Sequence, residues 1–91
     1  MRSSSEVKEL VTKFISEYFV KDTGIIVKDD TSFLDEGILD STGVMELVAY
    51  IESTFEFHVE DEEIVPDNFD SINKLIDFIG AKLSSRTEIA A

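Results

Sequence analysis

The sequence predicts an all-α fold: a small four-helix bundle of three longer helices and one short one, with a long first loop. Three observations carry that expectation. Apolar residues recur at steps of three and four in three separate stretches, around Val7–Tyr18, Val44–Phe55 and Ile72–Leu83. No alternating apolar and polar run of useful length competes as a strand. A chain of 91 residues with 43% hydrophobic content suits one thin core, onto which amphipathic helices close their stripes.

The first helix is expected over about Ser4 to Val20, with Val7, Leu10, Val11, Phe14, Ile15 and Tyr18 on its apolar side. Ser3 and Glu6 have capping-box spacing, and Gly24 is a plausible stop. Residues 21–40 then form a connection long enough to suggest a function. Ile25, Ile26 and Val27 could be a short strand or a set of apolar anchors, and Phe33, Leu34, Ile38 and Leu39 must be buried to pin the loop. The second helix starts at Asp40 or Ser41 and runs to about Phe55. Its buried stripe is Val44, Leu47, Val48, Ile51 and Phe55, while Ser41, Met45, Glu46, Ala49, Glu52 and Glu56 fall on the other side. An extended link, Phe57-His58-Val59, leads to one or two short helical turns limited by Pro66, with Ile64, Val65 and Phe69 pointing inward. Ser71 caps the last helix, whose face is Ile72, Leu75, Ile76, Ile79 and Leu83. The whole of 1–91 reads as a single domain, ordered over about 4–83, with 84–91 as a mobile tail.

Composition narrows the function. The formal charge of −12 repels nucleic acid and anionic membranes and favours basic partners. No apolar stretch is long enough to span a bilayer, and no signal peptide follows Met1. The absence of cysteine removes disulfide and thiolate chemistry and fits a cytoplasmic protein. The single histidine, His58, is separated in sequence from every serine and has no obvious acid to orient it, so a catalytic triad is not expected and the chain reads as a non-enzyme. The acidic run Glu60 to Glu63 with Asp67 reads as a solvated face rather than a metal site, since no EF-hand or His/Cys ligand pattern is present.

Ser41 remains as the candidate working residue. On the dipeptide alone, Asp40-Ser41 is a helix cap. Its setting adds an acidic, turn-rich lead-in containing Gly37, and an exposed acidic helix face that follows.

Taken together, Phe33-Leu34-Asp35-Glu36-Gly37-Ile38-Leu39-Asp40-Ser41, then Val44-Met45-Glu46-Leu47-Val48, Ile51-Glu52, Phe55, Val59 and the acidic run, resemble the acyl carrier and peptidyl carrier protein family over about Val7 to Leu83. The resemblance implies an acyl-carrier-like bundle in which Ser41, beside Asp40, bears 4′-phosphopantetheine transferred from coenzyme A. The terminal thiol then holds an acyl or aminoacyl group as a thioester, in fatty acid or secondary metabolite biosynthesis. The implied partners are a phosphopantetheinyl transferase, an adenylating acyl or aminoacyl ligase, and downstream acyl-transfer or condensing enzymes. They would meet a monomeric, stand-alone carrier at a face of Asp35, Glu36, Thr42, Met45, Glu46, Ala49, Glu52 and Glu56. The lead-in Glu36 to Ser41 is closer to aminoacyl, D-alanyl and peptidyl carriers than to fatty-acid carriers. Thr42 stands where the family usually has an apolar residue, and Gly43 should weaken the first helical turn by roughly 1 kcal/mol relative to alanine. Both departures imply a specialised member. The alternative is an acidic helical adaptor that binds a basic protein without a prosthetic group.

Overall fold

A computed structural model describes residues 4–90, with side chains as far as Ser84. Ser3, and with it the expected capping box, lies outside the described residues. Helix α1 spans Ser4–Ile15 and continues as a π-helical turn, Ser16–Val20. Val7, Val11 and Ile15 are buried at steps of four, and the next buried position is Val20, a step of five. That step is the i→i+5 spacing of a π turn, and it shifts the phase of the stripe. Tyr18, expected on the buried side, is therefore 68% exposed, while Phe19 packs against the core. The Tyr18 ring instead covers Phe14 at 4.7 Å, and Phe14 stacks on Tyr50 of the next helix at 4.0 Å.

No strand forms in the long connection among the described residues. Ile25 and Val27 serve as anchors against the core, whereas Ile26 is 79% exposed. Phe33, Ile38 and Leu39 are buried and pin the loop as expected. Leu34 does not join them: it is 49% exposed, because the chain turns sharply there, with Gly37 N–H reaching back to Leu34 O at 3.2 Å and Gly37 at φ +69.

Helix α2 spans Ser41–Phe55 and ends at Glu56 in the left-handed region. Leu47, Val48, Ile51 and Phe55 are buried, Val44 is half-buried, and Met45, Glu46 and Ala49 face out. A 3₁₀ turn, Asp61–Glu63, and the short helix α3, Pro66–Phe69, follow the link. Phe69 is buried and Ile64 half-buried, but Val65 is 39% exposed. The expectation of an inward Val65 fails because it is the extended residue before Pro66, outside the helical turn that packs. Helix α4 spans Ile72–Ala90 and is capped by Ser71, whose hydroxyl oxygen accepts Lys74 N–H at 3.1 Å. Its backbone stays helical past the expected end at Leu83. No glycine or proline occurs between Ser84 and Ala90 to stop it.

The core joins Val11 and Ile15 of α1, Leu47 and Ile51 of α2, Phe69 of α3 and Leu75 and Ile79 of α4. α4 packs against both α1 and α3. Four α-helices are thus present among the described residues, an all-helical bundle of three longer helices and one short one. No helix of the described residues is long and apolar enough to cross a membrane.

Candidate functional site

The site is built at the start of α2. Asp40 is extended (φ −117, ψ −172), and its Oδ1 accepts the Gly43 N–H at 2.7 Å. Its own carbonyl accepts Val44 N–H at 2.9 Å. Asp40 is therefore the cap, which decides between the two candidates that the sequence left open. Ser41 becomes the first helical residue. It is exposed, and its hydroxyl has no hydrogen bond among the described residues. The N–H groups of Ser41 and Thr42 also lie in the first turn, where an α-helix supplies no partner for them.

Gly43 has a different role from the one its helix propensity suggests. It is buried, and a Cβ placed on it would lie 3.1 Å from the Phe19 ring, 3.3 Å from Asp40 Oδ1 and 3.3 Å from Leu39 Cδ2. The glycine thus admits close packing at the capped turn, a gain that offsets its conformational cost.

Beside Ser41 opens a shallow cleft formed by Leu34, Asp40, Val44, Met45 and Ile64. Behind it lies a small, almost wholly apolar cavity of about 90 Å³, walled by Leu34, Leu39, Val44, Ile64, Val65 and Phe69. Sequence reasoning missed Leu34, Ile64 and Val65 as site residues, having assigned them to the core. Their signal was there to read: adjacent apolar pairs, Phe33-Leu34 and Ile64-Val65, in acidic segments and fitting no helical period. Asp70 closes the cavity and ties the loop to α3. Its Oδ2 accepts the Ser32 hydroxyl at 2.6 Å, its Oδ1 accepts Leu34 N–H at 2.9 Å, and its carbonyl accepts Phe33 N–H at 2.9 Å.

The ten residues singled out in the sequence do not form one patch. Asp35 and Glu36 sit exposed on the turn that carries Leu34. Asp40, Ser41, Thr42, Met45 (55% exposed) and Glu46 cluster on the first turns of α2. Ala49 is exposed two turns on. Glu52 is half-buried and engaged: its Oε2 accepts Val59 N–H at 2.9 Å and lies 3.0 Å from His58 Nδ1. Glu56 terminates the helix, roughly 22 Å from Ser41 at 1.5 Å of rise per residue.

His58 is exposed between Glu52 and Glu60, 3.0 and 3.6 Å away, in a surface contact rather than a nucleophile's relay. Glu63 accepts the Glu60 N–H at 2.9 Å and meets Lys82 Nζ at 2.9 Å. The hydrogen bond from the Glu60 backbone, aided by Lys82, holds its carboxyl below the ordinary range. No group of three or more potential ligands is placed to hold a metal ion among the described residues.

Residues 13–79 match the family described as the phosphopantetheine attachment site. The chain belongs to that family. Among its curated relatives, the D-alanyl carrier protein of Streptococcus mutans serotype c is 34% identical over 74 residues, covering 81% of this chain and 91% of the relative. The D-alanyl carrier protein of Streptococcus thermophilus is 33% identical over 72 residues, 79% of this chain and 89% of the relative. That of Streptococcus suis is 34% identical over 71 residues, 78% and 87%. As a phosphopantetheine-attachment protein, the chain is a carrier whose cofactor is 4′-phosphopantetheine, and it is not itself an enzyme. The prosthetic group displaces the adaptor reading, which had none. The start of α2 suits such a group: an exposed hydroxyl, first-turn N–H groups that favour a phosphodiester, and an apolar cleft alongside for an uncharged arm.

Proposed function

We propose that Ser41 is the attachment point and that the carrier holds an aminoacyl group as a thioester on the arm. One observation carries the assignment of Ser41. Asp40 takes the cap, so the adjacent serine keeps its hydroxyl free, exposed and fixed at a helix start. In loading, the Ser41 oxygen forms a bond to the phosphorus of coenzyme A that bears the pantetheine. The pyrophosphate bond breaks, 3′,5′-adenosine diphosphate leaves, and the serine proton passes to a base of the transferase. Asp40 holds the turn during this step, while the N–H groups of Ser41 and Thr42 face the new negative charge.

The aminoacyl cargo is supported by the names of the relatives given above, D-alanyl carrier proteins, and by the small cavity, too small for a long acyl chain. An adenylating ligase would charge the thiol, and a downstream acyl-transfer enzyme would accept the cargo. The arm raises the effective concentration of cargo at each partner. Met45 and Glu46, exposed on the first turns of α2 with Ser41, and Asp35 and Glu36, exposed on the turn that carries Leu34, offer acidic residues with one apolar contact for a basic partner.

Intact mass after incubation with coenzyme A and a phosphopantetheinyl transferase tests the assignment. The native chain should gain one phosphopantetheine and Ser41→Ala none; a gain retained in Ser41→Ala would refute it. Charging of the loaded carrier with D-alanine, compared with fatty acids, by matched ligases tests the cargo. Preferential charging with fatty acids would overturn the aminoacyl reading alone.

A further inference from the structure

The end of α1 and the start of α2 meet at one tight point. The π turn Ser16–Val20 brings Phe19 in, and its ring edge would lie 3.1 Å from a Cβ on residue 43. The same Cβ would press on Asp40 Oδ1, the oxygen that caps α2, at 3.3 Å. The φ of Gly43 is not positive, so its backbone conformation does not call for glycine; the space does. The ring is half-buried and braced by a neighbouring ring. Phe14 meets it edge-on at 5.7 Å, and Phe14 is itself stacked on Tyr50 of α2. The ring, the bare backbone and the capping carboxylate therefore form a single stop at the base of the turn that carries Ser41.

We propose that Phe19 and Gly43 form a positioning contact that sets the first turn of α2, and through the Asp40 cap the angle at which Ser41 is offered to the modifying transferase. The inference rests on the reading of Ser41 as the attachment point. Phe19 is a positioning residue, acting through Gly43 and Asp40 without touching coenzyme A. The acidic and apolar surface around Met45 is left intact, so the contact governs the rate of transfer rather than the encounter.

The test is a reciprocal swap: Gly43→Ala, Phe19→Leu and the double variant. Each is loaded with coenzyme A by a phosphopantetheinyl transferase, with rates from intact mass and folding from thermal melts. A displacement of a few tenths of an ångström at a reacting hydroxyl should lower kcat about five-fold in each single variant, with KM little changed. In the double variant the shorter side chain makes room for the new Cβ. Its kcat should recover above both singles even though it melts no higher than they do. A contact that matters only for stability gives the opposite order, with the double variant slowest. Wild-type kcat in Gly43→Ala, or a double variant no faster than Gly43→Ala, overturns the proposal. Should Gly43→Ala fail to fold, Phe19→Leu decides, and wild-type kcat there overturns it. No mass gain in the native chain, or a gain retained in Ser41→Ala, removes the Ser41 reading itself and this inference with it.

Discussion

Asp40 and Ser41 are both of residue types that cap helices, and Asp40 takes the cap. The carboxylate satisfies the turn, and the hydroxyl is left exposed and unbonded among the described residues. Asp40→Ala should therefore cost about 1 kcal/mol of stability in urea denaturation, the usual value of a lost cap. It should also slow loading, although Ser41 is untouched. Glu63 makes a second prediction at this scale. Its carboxyl sits below the ordinary value of 4.5 in the folded chain, first because Glu60 N–H donates to it and then because of Lys82. A depressed carboxylate stabilises the fold fully above its unfolded pKa and loses that contribution as the pH falls through the folded value. Acid titration of the denaturation midpoint should show a shallower fall in Glu63→Gln than in the native chain. The pair Asp40-Ser41 was legible in the sequence, but which of them caps was not, because both residue types cap helices. The packing use of Gly43 was not legible for a related reason. Helix propensity is a property of one residue, whereas its use here lies in Phe19, which only the fold brings near.

Helix α2 was legible almost to its ends, because its stripe repeats without interruption. Leu47 lies at the centre of that stripe with no exposed surface. Leu47→Ala should cost about 2–5 kcal/mol, read as a lower denaturation midpoint with an unchanged slope. The outward face gives the opposite expectation. Met45→Glu should leave helicity and melting intact while raising the KM for loading, since it places a like charge among Glu46 and Asp40 where an apolar contact stood. At the end of α1 the same reasoning put Tyr18 inside, because a period of 3.6 was carried through a turn that has a longer one. Val65 and Leu34 show another limit. A buried valine and one lining a cleft look alike in sequence, and the difference lies in the turns that aim them.

For the molecule as a whole, the charge of −12 works against compactness and for encounter. Few cations offset it; Lys8 pairs with Asp29 at 2.7 Å and Lys82 with Glu63. Added salt should raise the thermal midpoint by screening self-repulsion, while slowing association with a basic partner enzyme. Both slopes should shrink together in a variant with two surface carboxylates neutralised. The bundle itself was foreseeable from three periodic stretches, but the cavity was not, since all its walls but Val44 come from the long loop, the segment after the 3₁₀ turn and a four-residue helix, which have no periods of their own. The grip of Asp70 on Ser32, Phe33 and Leu34 sets how that cavity can breathe. Three bonds converge on one residue, so the loop cannot peel away one amide at a time. Its opening is an all-or-none event, a latch rather than a hinge. The Phe33 and Leu34 amides should exchange with deuterium at one shared rate, and in Asp70→Ala both should speed up together while the Leu47 amide keeps its own pace.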